Sequence, residues 1–308
     1  MIKFSVVIAV YNKEDYIVAT LRSVLSQTVQ NIEVIVVDDG STDESARLVK
    51  SIQDPRIRFF SQKNQGAGAA RNAAIQKAQA NFIALLDADD LWHPDHLETI
   101  DTMIAASPQE KVFATNSVFI QSGKQLSKHY SITWSKEEAI QLNFFEASMR
   151  ESIINSSTTV LHKDVFAQIG YYDESIKSGQ DTDLFIRIGL QYPIVFHPNI
   201  CVQIVRNDES LSRTAQRLED KPSFEKFESL ETDNPLLKKY IDQNRYSLCL
   251  LAKRNNDTRA FLHFYKKLKV SNLNYKQRCI LQLPSFMIRF LYRWKKKGEK
   301  VGIRPVLR

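Results

Sequence analysis

The first hundred residues alternate short apolar runs with amphipathic stretches, the pattern of strands and helices in turn. Phe4–Val10 is rich in Val and Ile and predicts a buried strand. Residues 14–27 place Ile17, Leu21, Val24 and Leu25 on one helical face, and residues 32–37 predict a second strand. Ser41-Thr-Asp-Glu44 has capping-box spacing, so it predicts the start of a helix with Ala46, Val49 and Ile52 inward. A short strand over 57–60, an alanine-rich helix over 67–78 and a fourth strand over 82–86 follow, the last running into a cluster of acids. Pro94 then opens another helix, where its missing N–H costs nothing. The alternation implies an α/β fold, a mostly parallel central sheet flanked by helices.

Beyond about residue 110 the alternation loosens. Residues 112–120, 156–161, 194–196 and 200–205 read as strands, and 181–190 as a helix. From about residue 215 the pattern is polar and helical. These shifts predict a domain over 1–214, with halves meeting at 110, and a helical extension over 215–308.

Charged residues make up 25% of the 308 and hydrophobic ones 43%, which excludes disordered and fibrous architectures. The longest apolar run, Val6–Tyr11, is far too short to span a membrane. The start shows no pattern of a secretory leader. Cys201, Cys249 and Cys279 form no CxxC pair, so a reducing cytoplasm is expected. The charge is uneven. From Ser285 onward there are eight basic residues and one acid, which accounts for the whole net charge of +7. A neutral body with one basic tail implies a local anionic surface as partner and no nucleic acid. A helix after Pro284 would set Met287, Phe290, Leu291 and Trp294 on one face, with Arg289, Arg293, Lys296 and Lys300 opposite. That pattern describes a helix lying in an anionic membrane surface over 285–308. The alternative is a helix docked on its own domain.

Candidate chemistry gathers where strands end. Asp87-Ala-Asp89-Asp90 closes an apolar strand, and three carboxylates this close repel unless a cation sits among them; oxygen donors suit Mn²⁺ or Mg²⁺. A solvated acidic turn is the plain alternative. Asp38-Asp39 follows the second strand in the same way, and ligands of open α/β sheets bind beyond such strand ends. Gly66-Ala-Gly68-Ala-Ala-Arg71-Asn72 opens a helix with two glycines and an arginine, a setting that attracts phosphate.

These segments, with Val6–Asn12 before them, stand in the order seen in glycosyltransferase family 2, and the chain resembles that family over roughly residues 3–213. The resemblance implies an inverting enzyme of GT-A fold using a nucleotide-sugar donor. By position it implies that Ala9 and Tyr11 line the base pocket and that Asp39 accepts the N3–H of uracil or thymine. Arg71 would lie at the nucleotide, Asp87 at the ribose, and Asp89 on the metal under the diphosphate, with Asp38 and Asp90 supporting. The Gln180-Asp181-Thr-Asp183-Leu-Phe-Ile-Arg187 segment matches the family's catalytic helix and implies Asp181 as the base. Taken alone, Asp181 or Asp183 would pass for a helix cap. Gln180 stands where the family more usually has Glu; a neutral amide there can donate to a sugar hydroxyl. The Arg206–Ser212 segment resembles an acceptor loop that often carries a His, absent here.

His93 and His96, flanking Pro94, read as an ordinary polar first turn, and Trp92, Trp134 and Trp294 as packing or interface residues. The expectation is hexose or N-acetylhexosamine transfer from a UDP-sugar to a lipid-linked glycan acceptor at the inner face of the cell membrane. The rivals are a sugar-nucleotide nucleotidyltransferase and a non-catalytic nucleotide-sugar-binding protein.

Overall fold

The computed structural model describes residues 2–134, 138–206 and 217–300. The chain divides into two compact units, residues 1–215 with 220–222 and residues 216–219 with 223–308.

The first unit is built on one sheet. Its strands are β1 (Phe4–Val10), β2 (Ile32–Asp38), β3 (Ile57–Ser61), β4 (Phe82–Asp87), β5 (Leu91–Trp92), β6 (Val112–Gln121), β7 (Lys124–Ser127), β8 (Ile140–Leu142), β9 (Thr159–His162) and β10 (Ile194–Val205). Their order is β3-β2-β1-β4-β9-β6-β10-β5, with β7 on β6 and β8 on β10. The first four strands are parallel, and β9 enters antiparallel between β4 and β6. Every residue of β2 and all but Ala9 of β1 are buried, as expected of strands covered on both faces. Register does the positioning. Ala9 pairs with both Val37 and Asp87, and Val10 with Asp38, so the acid-bearing ends of β1, β2 and β4 lie level at one edge.

The helices α1 (Ile17–Leu25), α2 (Ser45–Ser51), α3 (Ala67–Gln76), α4 (His96–Ala106), α5 (Phe144–Ala147), α6 (Lys163–Ile169) and α7 (Gln180–Gln191) complete the unit. Helix α1 buries Ile17, Leu21 and Val24 as the periodicity predicts. The expected capping box does not form. Helix α2 starts at Ser45 without a side-chain cap, because Ser41 Oγ accepts instead from the Asn12 N–H at 3.0 Å. Asp43 accepts from the N–H groups of Ser45 and Glu14, and Ser45 Oγ from that of Lys13. A bond to a neighbouring loop has outcompeted the local cap. The expected strand over 156–161 is likewise a turn first: Ser156–Thr158 forms one 3₁₀ turn capped by Asn155, and β9 begins at Thr159. The two expected strands over 194–205 are one, β10, with register shifts between His197 and Val202.

The described part of the second unit is helical: α8 (Pro235–Arg254), α9 (Thr258–Lys267), α10 (Tyr275–Gln282) and α11 (Ser285–Lys300). Asn234 caps α8, with Pro235 at the position where it suits a helix start. Arg245 is buried within this unit and grips Glu231 through both terminal nitrogens, at 2.7 and 2.6 Å. Helix α11 turns Ile288 inward, and Arg254 of α8 lies over its Tyr292 ring at 4.2 Å. The docked arrangement is therefore present, yet Phe286, Met287, Phe290 and Trp294 stay exposed. Among the described residues no helix is long and apolar enough to cross a membrane. Residues 207–212 of the expected acceptor loop and 301–308 of the tail lie outside the described residues.

His96 corrects the expectation of a polar first turn. Its ring is fully buried, 4.5 Å from that of Trp92, with Thr115 Oγ1 at 3.1 Å from Nδ1. His93, in contrast, is exposed and meets Asp95 at 2.6 Å. Burial pushes the His96 pKa down to about 3, against the pull of Asp95. The folded state thus holds the neutral ring, and stability is complete above the ordinary His pKa of about 6.5 and lost as pH falls below it. Between pH 7 and 5 the wild type should lose roughly 2 kcal/mol more than His96→Met, as measured by urea denaturation of both at each pH. Equal losses would show that His96 does not titrate this way.

Gly189 lies under Phe144, and a Cβ there would come within 2.5 Å of the ring's Cδ1 and 2.7 Å of its Cβ. The helix-propensity gain of Ala, about 1 kcal/mol, should lose to this overlap. Gly189→Ala is expected to destabilise the protein by about 1–3 kcal/mol in chemical denaturation. A neutral or stabilising effect would show that Phe144 can swing clear.

Candidate active site

Three turns at the level strand ends carry the site, each fixed by side chains buried beneath it. After β2, the Asp39 N–H donates to the Val10 carbonyl at 2.8 Å, tying this turn to the end of β1. The Asp39 carboxylate is buried and accepts from Gln62 Nε2 (2.8 Å) and from the N–H groups of Gln65 (2.9 Å) and Gly66 (2.8 Å). Gly66, at φ +97°, takes a backbone conformation closed to most side chains, so Asp39 and Gly66 together aim the start of α3. Asp38 accepts from the Ser41 N–H and Ser61 Oγ, a supporting role within the turn.

Arg71, in the second turn of α3, connects two carboxylates from distant parts of the chain. Its Nη2 lies 2.5 Å from Asp87 Oδ1 and its Nη1 3.8 Å from Asp181 Oδ1, while its guanidinium sits over the Tyr172 ring at 5.4 Å. Arg71 is buried; both carboxylates keep about a third of their surface open, at 37%. Burial alone would weaken the arginine's charge, but Asp181 and Asp87 outweigh it and push its pKa upward. Asp181 stands in the first turn of α7 and also accepts from Ser156 Oγ at 2.9 Å. The same helix uses the rest of its motif structurally. Asp183 is buried and pairs with Arg187, which donates to the carbonyls of Ile169, Gly170 and Tyr171 at the end of α6.

The turn after β4 splits its acids between two environments. Asp89 pairs with Lys13 Nζ at 2.5 Å, and the pair is partly exposed. Asp90 is buried, accepts from Ser157 Oγ and from the Val205 N–H at 2.9 Å, and has its carboxyl pushed well above the usual range by burial and by the Asp87 and Asp89 charges. Ser157 is the fastener here. Its Oγ also accepts from the Asp87 N–H (3.1 Å), and its carbonyl accepts from Trp92 Nε1 (2.7 Å).

Of the residues singled out in the sequence, Arg71, Asp87 and Asp181 form one contiguous group. Asp39 joins the start of α3, and Asp89 is engaged separately by Lys13. Ala9 is half-buried at the end of β1, and Tyr11 is 46% exposed beyond it. Gln180 is buried beside α3, with its Cγ near Gly68, and its Oε1 has no hydrogen-bond partner among the described residues. Sequence reasoning missed Lys13, Ser156, Ser157 and Tyr172. The Asn155-Ser-Ser-Thr158 spacing, a capping box in the structure, could have marked the turn at 156–158. Nothing local marked Lys13.

Among the described residues no group of three or more His, Cys, Asp or Glu side chains is arranged to hold a metal ion. A Mg²⁺-type ion usually takes one or two carboxylates with substrate phosphates and water, so Asp89 with a diphosphate has the donor chemistry required.

The Glycosyl transferase family 2 model matches residues 5–170 of this chain. A Rickettsia felis protein described as an uncharacterized glycosyltransferase is 34% identical over 191 residues, 60% of this chain and 30% of that protein. Escherichia coli chondroitin synthase is 30% identical over 217 residues, 68% of this chain and 29% of its own length. The E. coli UDP-Glc:alpha-D-GlcNAc-diphosphoundecaprenol beta-1,3-glucosyltransferase WfaP is 35% identical over 168 residues, 54% of this chain and 63% of its own. The chain thus spans under a third of the first two relatives. Among solved structures, S. aureus TarS 1–349 in complex with UDP-GlcNAc superposes with a TM-score of 0.70 at 20% identity, covering 98% of this chain and 92% of that one. The architecture is the GT-A fold, and the family model spans more than half of the residues. The chain belongs to glycosyltransferase family 2.

Proposed function

We propose that this protein transfers a hexose or N-acetylhexosamine from a UDP-sugar to a glycan acceptor, with inversion, in the synthesis of a cell-surface polysaccharide. The observation that supports this best is the Arg71 bridge, which couples Asp87, the residue proposed for the ribose, to Asp181, the proposed base. A single displacement needs donor and base held in fixed relation, which a buried guanidinium bonded to Asp87 and 3.8 Å from Asp181 would favour. The TarS complexes with UDP-GlcNAc and UDP support a UDP donor, and the name of the E. coli glucosyltransferase supports a lipid-linked acceptor. The three free cysteines agree with a cytoplasmic site of action.

In this reading the acceptor hydroxyl oxygen attacks the anomeric carbon as the bond to the UDP oxygen breaks, and the Asp181 carboxylate takes the hydroxyl proton. Ser156 and Arg71 orient that carboxylate. Tyr11 and Ala9 would line the base pocket, and Asp39 would offer its remaining acceptor position to uracil, since a carboxylate has room for about four donors. Gln180 would face the sugar with an amide that can both donate and accept. Asp89 would hold Mn²⁺ or Mg²⁺ together with the diphosphate; when bound, the ion neutralises charge on the leaving UDP.

Asp89→Ala should abolish transfer and weaken UDP binding far more in Mn²⁺ than in EDTA, as read by calorimetry. Equal UDP affinity for both proteins in both conditions would remove Asp89 from the metal site. Asp181→Asn keeps shape but cannot accept a proton, so turnover should fall by roughly two to four decades with UDP affinity unchanged. Retention of more than about a tenth of turnover, with chemistry rate-limiting, would reject Asp181 as base. The released product should be UDP. Pyrophosphate instead would indicate a nucleotidyltransferase, and binding without transfer or donor hydrolysis a non-catalytic protein.

A further inference from the structure

Helix α11 is held by one side and bare on another. Ile288 is buried within the second unit, Arg289 donates to Asn256 Oδ1, and Arg254 covers the Tyr292 ring. These contacts fix the helix's orientation on its own unit. They leave Phe286, Phe290 and Trp294 exposed by 64%, 68% and 62%, with Met287 at 39% beside them. Spaced four residues apart, the three aromatic side chains line one stripe about 12 Å long. A helix fully accounted for by docking on its unit would not carry three large apolar side chains this open.

The surrounding charge selects the occupant. Arg293 is exposed, and the sequence adds Lys295, Lys296, Lys297 and Lys300 within the same helix. From Ser285 to the end the net charge is +7. A second copy meeting this patch about a two-fold axis would bring the same basic segment against itself, and like charges oppose that. An anionic surface is attracted instead. A short aromatic stripe, a flanking basic face and a tryptophan near the polar boundary are the features of a helix resting in a lipid headgroup layer.

We propose that α11 docks the protein on an anionic lipid bilayer by seating Phe286, Phe290 and Trp294 among the headgroups while the basic residues meet lipid phosphates. The helix is already folded and held on its unit, so binding requires no further ordering of the described segment. Placement on the bilayer does not depend on the reaction proposed above, and UDP binding tests the two separately.

The test is flotation of the full chain with phosphatidylglycerol–phosphatidylcholine vesicles and with phosphatidylcholine vesicles alone. Partitioning to the anionic vesicles should exceed that to neutral ones by about tenfold or more at low salt, and fall in about 0.5 M salt as exposed charges are screened. Trp294 fluorescence should shift to the blue on binding, and Trp294→Phe should remove most of that shift. Phe286→Ser/Phe290→Ser/Trp294→Ser should cut partitioning by about tenfold or more while keeping the helical circular dichroism and UDP affinity of the wild type. Charge reversal at Arg293, Lys296 and Lys300 should do the same without removing apolar area. Absence of flotation at low salt overturns the proposal, as does a triple variant that floats like the wild type. A wild-type dimer in sedimentation velocity that the triple variant turns into a monomer would assign the stripe to a second copy and overturn it too.

Discussion

A buried guanidinium between two carboxylates holds this molecule's site in shape. Arg71 comes from α3, Asp87 from the end of β4 and Asp181 from the start of α7, three elements with nothing local in common. A cation withdrawn from water is tolerable only with such partners, and each partner loses its counter-charge if the arginine is removed. The preparation for this contact reaches back through the fold. The Asp39–Gly66 bonds aim α3, the β1–β4 register levels Asp87 with Ala9, and Ser156 meets Asp181 from the turn before β9. The energetic stake is therefore shared among residues that never touch one another.

The acid-rich turn shows how one sequence motif divides into distinct chemistries. Asp87, Asp89 and Asp90 are near neighbours along the chain, yet they face an arginine, a lysine and a buried serine respectively. Asp90 is turned inward and ties the turn to the Val205 N–H on β10, while Asp87 stays partly open and Asp89 is largely covered against Lys13. Asp87 and Asp89 are offset by basic partners, while Asp90, buried beside both, responds to their charges by shifting its carboxyl toward the protonated form.

What the sequence disclosed was whatever depends on period and on strand ends. Strand β1 occupies the expected residues, and α1 buries the expected face, because a run such as Phe4–Val10 has few other ways to satisfy its backbone and side chains together. The acids were legible because they interrupt apolar strands. Long-range polar choices were not. Ser41 bonds Asn12 rather than capping its own helix, Lys13 finds Asp89 across 76 positions, and Ser157 reads as strand but serves as a fastener. His96 failed for a related reason: His93 and Asp95 before it are polar, while its ring is enclosed by Trp92 and Thr115 from other elements. The family model ends at residue 170, so Asp181 and α7 join the rest of the site through geometry rather than through the matched segment.

Asn72 has a bearing on motion. Its side-chain amide donates to the Tyr172 carbonyl at 3.0 Å and to Glu174 at 2.8 Å, and its side-chain oxygen accepts from the Tyr172 N–H at 2.9 Å. The side chain thus behaves as a peptide group, clamping α3 to a backbone segment a hundred residues away. Two parts joined by so directional a clamp cannot rock against each other on the microsecond-to-millisecond timescale of domain closure without breaking it. A motion that opened this region would have to part three hydrogen bonds at once, so α3 and the stretch leading into α7 are expected to move together.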